Sequence, residues 1–221
     1  MEVGGDAQQT DGTTASYRHD QDEAPNFNRS HIWWAMASAK SRRPDVTFYG
    51  LGWGFPGFLE SFYSNATAEY LAGWVAGAQA AHGFNVSVLG LWNERTPCRR
   101  LGPALRPGPW NCDVIFALRD ALDRLGLQHT RIAGIDNSGL KSFALEAVVE
   151  TKAPIGIVAT HGPPVLSPTV VDHFREQGLP FWRSEGEETY TSSGALGHRL
   201  VRDFVEYGAQ ASIEWPIVQG F

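Results

Sequence analysis

Along the chain, short runs of β-branched and aromatic residues alternate with longer stretches whose apolar positions recur every three or four residues. The short runs predict strands at Glu2 to Gly4, Val46 to Leu51, Val86 to Trp92, Arg131 to Ile135, Ile155 to Thr160, Pro180 to Ser184 and Ala211 to Trp215. The longer stretches predict helices at Ser30 to Arg42, Ala66 to Ala81, Asp113 to Leu125, Ser142 to Glu150, Pro168 to Gln177 and Ala195 to Tyr207. Ser167 followed by Pro168 suits an N-cap with proline at the first helical position, and Gly126, Gly178 and Gly208 suit helix stops.

Strands separated by helices imply parallel pairing, and a run such as Val86-Ser87-Val88-Leu89-Gly90-Leu91 reads as covered on both faces. The pattern is α/β. Seven strands fit a (β/α)₈ barrel short of one unit, whereas an open doubly wound sheet normally carries a cofactor fingerprint at its first turn. Residues 1–221 read as one domain, long enough to bury a sizeable core.

Composition narrows the partners. A formal charge of -6 argues against a nucleic-acid surface, and sugar or neutral lipid suits the chain better. Apolar runs such as Ile155 to Ala159 fall far short of the ~20 residues a membrane span needs. The start, Met1-Glu2-Val3-Gly4-Gly5-Asp6, lacks a basic segment followed by an apolar one, so the chain is either cytosolic or without its native N-terminus. Asn28-Arg29-Ser30, Asn65-Ala66-Thr67 and Asn85-Val86-Ser87 are glycosylation acceptor patterns and favour a secretory route. The two cysteines, Cys98 and Cys112, flank one Pro/Gly/Arg-rich loop. A disulfide there stabilises by roughly 3 kcal/mol in an oxidising compartment; two free thiols are the alternative.

Gly52-Trp53-Gly54-Phe55-Pro56-Gly57 formally fits G-x-G-x-x-G after a strand. A dinucleotide site needs small residues for backbone approach to pyrophosphate, a helix at once, and an acid about 20 residues on. This loop carries Trp, Phe and Pro instead, and Val75 stands mid-helix at that distance. An aromatic loop is better suited to stacking on the apolar face of a sugar ring.

In a parallel barrel the C-terminal strand ends converge on one mouth. Those ends carry Asp6, Trp53, Asn93 with Glu94, Asp136 with Asn137, His161, Glu185 and Trp215. Glu94 and Glu185 each follow an apolar strand, and glycosidic cleavage needs two such carboxyls: one protonated for the leaving oxygen, one ionised to attack or to activate water. Trp92 is an apolar neighbour able to keep one of them neutral. The bland alternative is a carboxylate capping the next helix, or paired with Arg95 or Arg183. His161 reads as a hydrogen-bonding group behind the reacting ones or as a core histidine, and Glu187 and Glu188 as solvated loop charges crowding Glu185. G-x-S-x-G, H-E-x-x-H and C-x-x-C are all missing, so neither a serine nucleophile elbow nor a metal or other cofactor is expected.

Asn93-Glu94 ending the fourth barrel strand and a second glutamate ending the seventh resembles the clan of retaining (β/α)₈ glycoside hydrolases. Within it the chain looks like glycoside hydrolase family 59. The matching stretches are Val3-Gly4-Gly5-Asp6 through Thr10-Asp11-Gly12-Thr13, Trp33-Trp34, Gly50 to Gly57, Leu91-Trp92-Asn93-Glu94-Arg95, Asp136-Asn137, Trp182 with Ser184-Glu185, and Trp215. The resemblance implies an incomplete barrel of strands two to eight, with Glu94 as acid/base and Glu185 as nucleophile of a double displacement. It implies that Thr10, Trp53, Asn93 and Trp215 contact galactose, Asn93 at the 2-hydroxyl. It further implies release of β-linked galactose from galactosylceramide and related galactolipids, without metal, in the lysosome or outside the cell, with a lipid-presenting activator protein as partner.

The pattern departs in places. The family continues Ser-Glu with Asp-Phe, where Gly186-Glu187-Glu188 stand here. The resemblance puts the first barrel strand before Met1, and β-sandwich and lectin-like domains after Phe221. An incomplete barrel leaves two unpaired sheet edges, so the isolated chain is expected to be weakly stable and poorly active. The competing readings are another retaining exo-glycosidase of the clan and a non-catalytic carbohydrate-binding remnant. A Glu94 to Glu185 carboxyl separation of about 5–5.5 Å indicates retention, and about 6.5–9.5 Å inversion.

Overall fold

The computed structural model describes residues 1–5, 14–102, 108–138, 142–161, 172, 175–186 and 193–213. Seven strands form one sheet in the order β1 (Glu2–Val3), β2 (Phe48–Gly52), β3 (Val86–Gly90), β6 (Arg131–Ser138), β7 (Ile157–His161), β8 (Phe181–Glu185) and β9 (Ala211–Ser212). Every pairing in it is parallel. Helices α1 (Ile32–Arg42), α2 (Asn65–His82), α3 (Asp113–Arg124), α4 (Ser142–Thr151) and α5 (Ser193–Val201) stand between the strands, and α5 runs straight into a π-helical turn, Arg202–Glu206.

The period of two along the strands separates two apolar layers. Phe48, Val86, Leu89, Ile132, Ile135, Val158 and Phe181 join the larger core beneath the helices. Tyr49, Leu51, Val88, Ala133, Ile157 and Ala159 form a smaller cluster on the opposite face, against which Trp53 and Trp182 pack. Both faces of the sheet are therefore covered, as the uninterrupted apolar runs require. The sheet is also curled. Tyr49 on β2 and Trp182 on β8 lie four strands apart, about 19 Å in a flat sheet. Their rings nevertheless meet edge to face at 6.3 Å between centroids.

Helix placement follows local signals. Ser64 accepts a hydrogen bond from the Thr67 N–H at 3.2 Å and caps α2. Gly83, Gly126, Gly178 and Gly208 all take φ between +66° and +74°, the left-handed region that ends a helix without a Cβ penalty. In α3, Val114, Ile115, Leu118, Ala121 and Leu122 are buried, a one-sided stripe at helical spacing. Ser167-Pro168 and most of the helix expected there lie outside the described residues.

Cys98 and Cys112 are joined by a disulfide, with Cα atoms 4.3 Å apart. It closes the base of a hairpin that the apolar pattern does not reveal, β4 (Arg99–Arg100) antiparallel to β5 (Trp110–Asn111). The Arg100 guanidinium lies 4.4 Å from the Trp110 ring centroid.

Candidate active site

Residues from three neighbouring strands, Glu94 after β3, Asp136 of β6 and Glu185 of β8, converge on His161, the last residue of β7, which is fully buried. Its Nε2 lies 3.1 Å from Asp136 Oδ1 and 3.5 Å from Glu185 Oε2, and its Nδ1 lies 3.7 Å from Glu94 Oε1. One imidazole thus stands between the two glutamates singled out from the sequence. Two carboxylates face Nε2, so in the neutral ring that nitrogen carries the proton; the assignment follows from the hydrogen-bonding partners. Burial alone works against a charged ring. The Asp136 hydrogen bond and the charges of Asp136, Glu185 and Glu94 outweigh it and raise the histidine above its ordinary range.

Asp136 is the hub beneath this ring. Its side chain is buried and accepts from Ser184 Oγ at 2.5 Å, from the Tyr49 hydroxyl and from His161. Its backbone carbonyl accepts from the Glu94 N–H at 2.8 Å. A side chain at Gly90 would put a Cβ 2.8 Å from both Asp136 Oδ2 and the Tyr49 hydroxyl, so this glycine makes room for the carboxylate. Register shifts in the β6–β7 and β7–β8 ladders accompany the cluster, letting Ser184 and Glu185, neighbours in sequence, both reach it. Glu94, Ile135 and Asp136 take φ of +57°, +87° and +28°. Such backbone costs on the order of 1–3 kcal/mol per residue and collects where function demands a geometry.

The two glutamates differ in surroundings. The Glu185 side chain is 7% exposed and that of Glu94 45%. The arginines that offered a bland explanation are engaged elsewhere: Arg183 Nη1 lies 3.0 Å from Asp203 Oδ2, and the Arg95 guanidinium sits 4.3 Å from the Phe62 ring centroid. Two expectations need correction. Trp92 does not shield a carboxyl, because its ring packs against Phe55, Phe62 and Tyr63 in the helix-side core. The 53–64 loop likewise turns Phe55 and Phe62 inward onto Trp92, and of the loop's first residues Trp53 is the one packed against the concave cluster. No helix begins at Gly57, since α2 starts at Asn65, which removes the dinucleotide reading.

A family model for glycosyl hydrolase family 59 matches residues 1–221. The chain belongs to glycosyl hydrolase family 59. Its similar relatives include the galactocerebrosidases of Danio rerio (30% identical over 230 residues), Mus musculus (32% over 232) and Homo sapiens (31% over 234). Each match covers all of this chain and 31–32% of the relative, so the family 59 chain spans about a third of their length. A solved mannanase catalytic domain from Streptomyces sp. SirexAA-E has a TM-score of 0.49 at 15% identity, over 86% of this chain and 61% of that one.

Of the sugar-contacting residues expected of a family 59 chain, Asn93 is half-buried beside Glu94, its N–H donating to the Gly52 carbonyl at 2.7 Å, while its side-chain oxygen is buried without a hydrogen-bond partner among the described residues. Thr10 and Trp215 lie outside the described residues, as do Asp6, Glu187 and Glu188. Tyr49 and Ser184 were not anticipated as parts of the cluster; an inward-facing hydroxyl in an otherwise apolar strand was the available signal. Among the described residues, no three His, Cys, Asp or Glu side chains are grouped to hold a metal ion, and no helix is long and apolar enough to cross a membrane.

Proposed function

We propose that this chain is the greater part, strands two to eight, of a (β/α)₈ catalytic barrel that releases β-linked galactose from galactosylceramide and related galactolipids with retention of configuration. The observation carrying this reading is the pair of glutamates on one buried imidazole, each at the C-terminal end of a parallel strand. Glu185, enclosed and held in the sheet, attacks the anomeric carbon. Glu94, open to solvent, protonates the leaving oxygen and then takes a proton from the incoming water. Asn93, with its buried amide oxygen lacking a partner among the described residues, accepts from the sugar 2-hydroxyl, a bond that strengthens as positive charge develops on the ring. Trp53 walls the sugar from the concave side, with Thr10 and Trp215 completing the pocket. The names of the relatives support the galactolipid, and the Cys98–Cys112 disulfide suits a lysosomal or extracellular parent protein.

The test is the anomeric outcome in the full-length protein. Proton NMR of an aryl β-galactoside digest should show β-galactose first, decaying to the mixture. α-Galactose first would mean inversion, and unchanged hydrolysis by Glu185→Gln would remove the nucleophile. Galactose binding without any turnover would favour a carbohydrate-binding remnant.

A further inference from the structure

His161 and Asp136 have no role in the reaction as described so far, yet the buried His161 ring lies 3.5 Å from the Glu185 carboxyl and 3.7 Å from that of Glu94, and the buried Asp136 is bonded to that ring. We infer that His161 is the positioning residue of the nucleophile, through one Nε2–H that Glu185 and Asp136 share, and that Asp136 acts on the reaction only through that ring. The inference rests on the assignment of Glu185 above. While Glu185 is ionised, the N–H supports Oε2; when Glu185 becomes a glycosyl ester and loses its charge, the same N–H turns fully to Asp136, 3.1 Å away. When water breaks the ester, the N–H is again in place for the departing carboxylate. The site alternates between two acceptors with almost no atomic movement, which is preorganisation rather than rearrangement.

Asp136 makes this work by holding the proton on Nε2, in the neutral ring as in the charged one. Tyr49 and Ser184 donate to it from β2 and β8, so its oxygens can serve His161 only as acceptors. Among the described residues, the charged and titratable groups facing the ring are Glu94 after β3, Asp136 on β6 and Glu185 on β8, with Tyr49 of β2 behind Asp136. An amide at position 136 removes the charge that holds the ring and, where its NH2 group faces Nε2, donates there, moves the ring proton to Nδ1 and aims a lone pair at Glu185.

The experiment uses the full-length protein and 4-methylumbelliferyl β-galactoside. Asp136→Asn should lower kcat by at least about a hundredfold with little change in KM, as a wrong tautomer does elsewhere. His161→Gln keeps a donor at the Nε2 place but cannot titrate, so it should retain more kcat than His161→Ala and lose the histidine limb of the pH profile. An Asp136→Asn enzyme within a few-fold of wild type would overturn the inference; should that variant fail to fold, a His161→Gln profile identical to wild type would do so. Azide rescue of Glu185→Gly, read as α-galactosyl azide, keeps the two readings apart. Rescue with a near-normal Asp136→Asn sinks only the positioning role, whereas no rescue removes the nucleophile assignment itself.

Discussion

Glu94 and Glu185 both lie at the C-terminal side of parallel strands, yet the fold treats them in opposite ways. Glu185 belongs to β8, is paired in register with His161 and is almost enclosed. Glu94 stands past the end of β3 in a left-handed backbone conformation, tied by its N–H to the Asp136 carbonyl, with nearly half its side chain in solvent. A group that must form and break a bond to carbon gains from being fixed and dry. One that must exchange protons with the medium in every cycle gains from access to it. The difference in exposure therefore supports the proposed division, with Glu185 as nucleophile and Glu94 as acid/base.

The comparison can be broken most directly at the enclosed residue. Glu185→Gln should lower kcat by on the order of 10³–10⁴-fold for every substrate, measured in steady state against a folded control. Glu94→Gln should be selective: a loss of about 10²–10⁴-fold on galactosylceramide, whose leaving group needs a proton, and far less on a dinitrophenyl galactoside, which does not. Equal losses on both substrates would erase the distinction between the two carboxyls. The anchoring of Glu94 is tested by reduction, because Cys98 lies four residues beyond it and closes a loop of sequence separation 14. Cys98→Ser with Cys112→Ser should lose roughly 3 kcal/mol in urea unfolding and blunt the Glu94-dependent step more than the Glu185-dependent one. The smallest effect belongs to the residue between them. His161 is raised above its unfolded value, so its contribution to stability is complete below pH about 6.5 and is lost as pH rises through the folded value. Melting temperature should fall across that window in wild type, and His161→Gln should flatten the fall.

Much of the scaffold was readable in advance because it rests on short-range chemistry. The runs around Val86–Leu91 and Ile155–Thr160 have the β-branched, two-sided apolar character of parallel strands, and the stops at Gly126, Gly178 and Gly208 need only φ above zero. What escaped depends on contacts between distant residues. Strand β6 runs on through Asp136 and Asn137 because Tyr49, Ser184 and His161 satisfy the aspartate, and nothing near it in the chain announces that. The Arg99–Arg100 and Trp110–Asn111 hairpin is held by a disulfide and a cation over an indole, not by alternation. Glu94 and Glu185 were legible as a pair. That a single histidine would stand between them was not, since a lone histidine after an apolar strand has the same local signature whether it packs or positions.

The widened turn at Arg202–Glu206 has a mechanical consequence. A π-helical turn accommodates one more residue than an α-helical turn of the same height, and here it puts the buried Asp203 onto Arg183, with Ser212 of β9 donating to the same carboxylate oxygen. Arg183 is two residues before Glu185, so the strand bearing the inner carboxyl is latched from the rear by a helical irregularity. Removing one residue from that turn would rotate the latch off its catch and loosen the strand that carries Glu185 from behind.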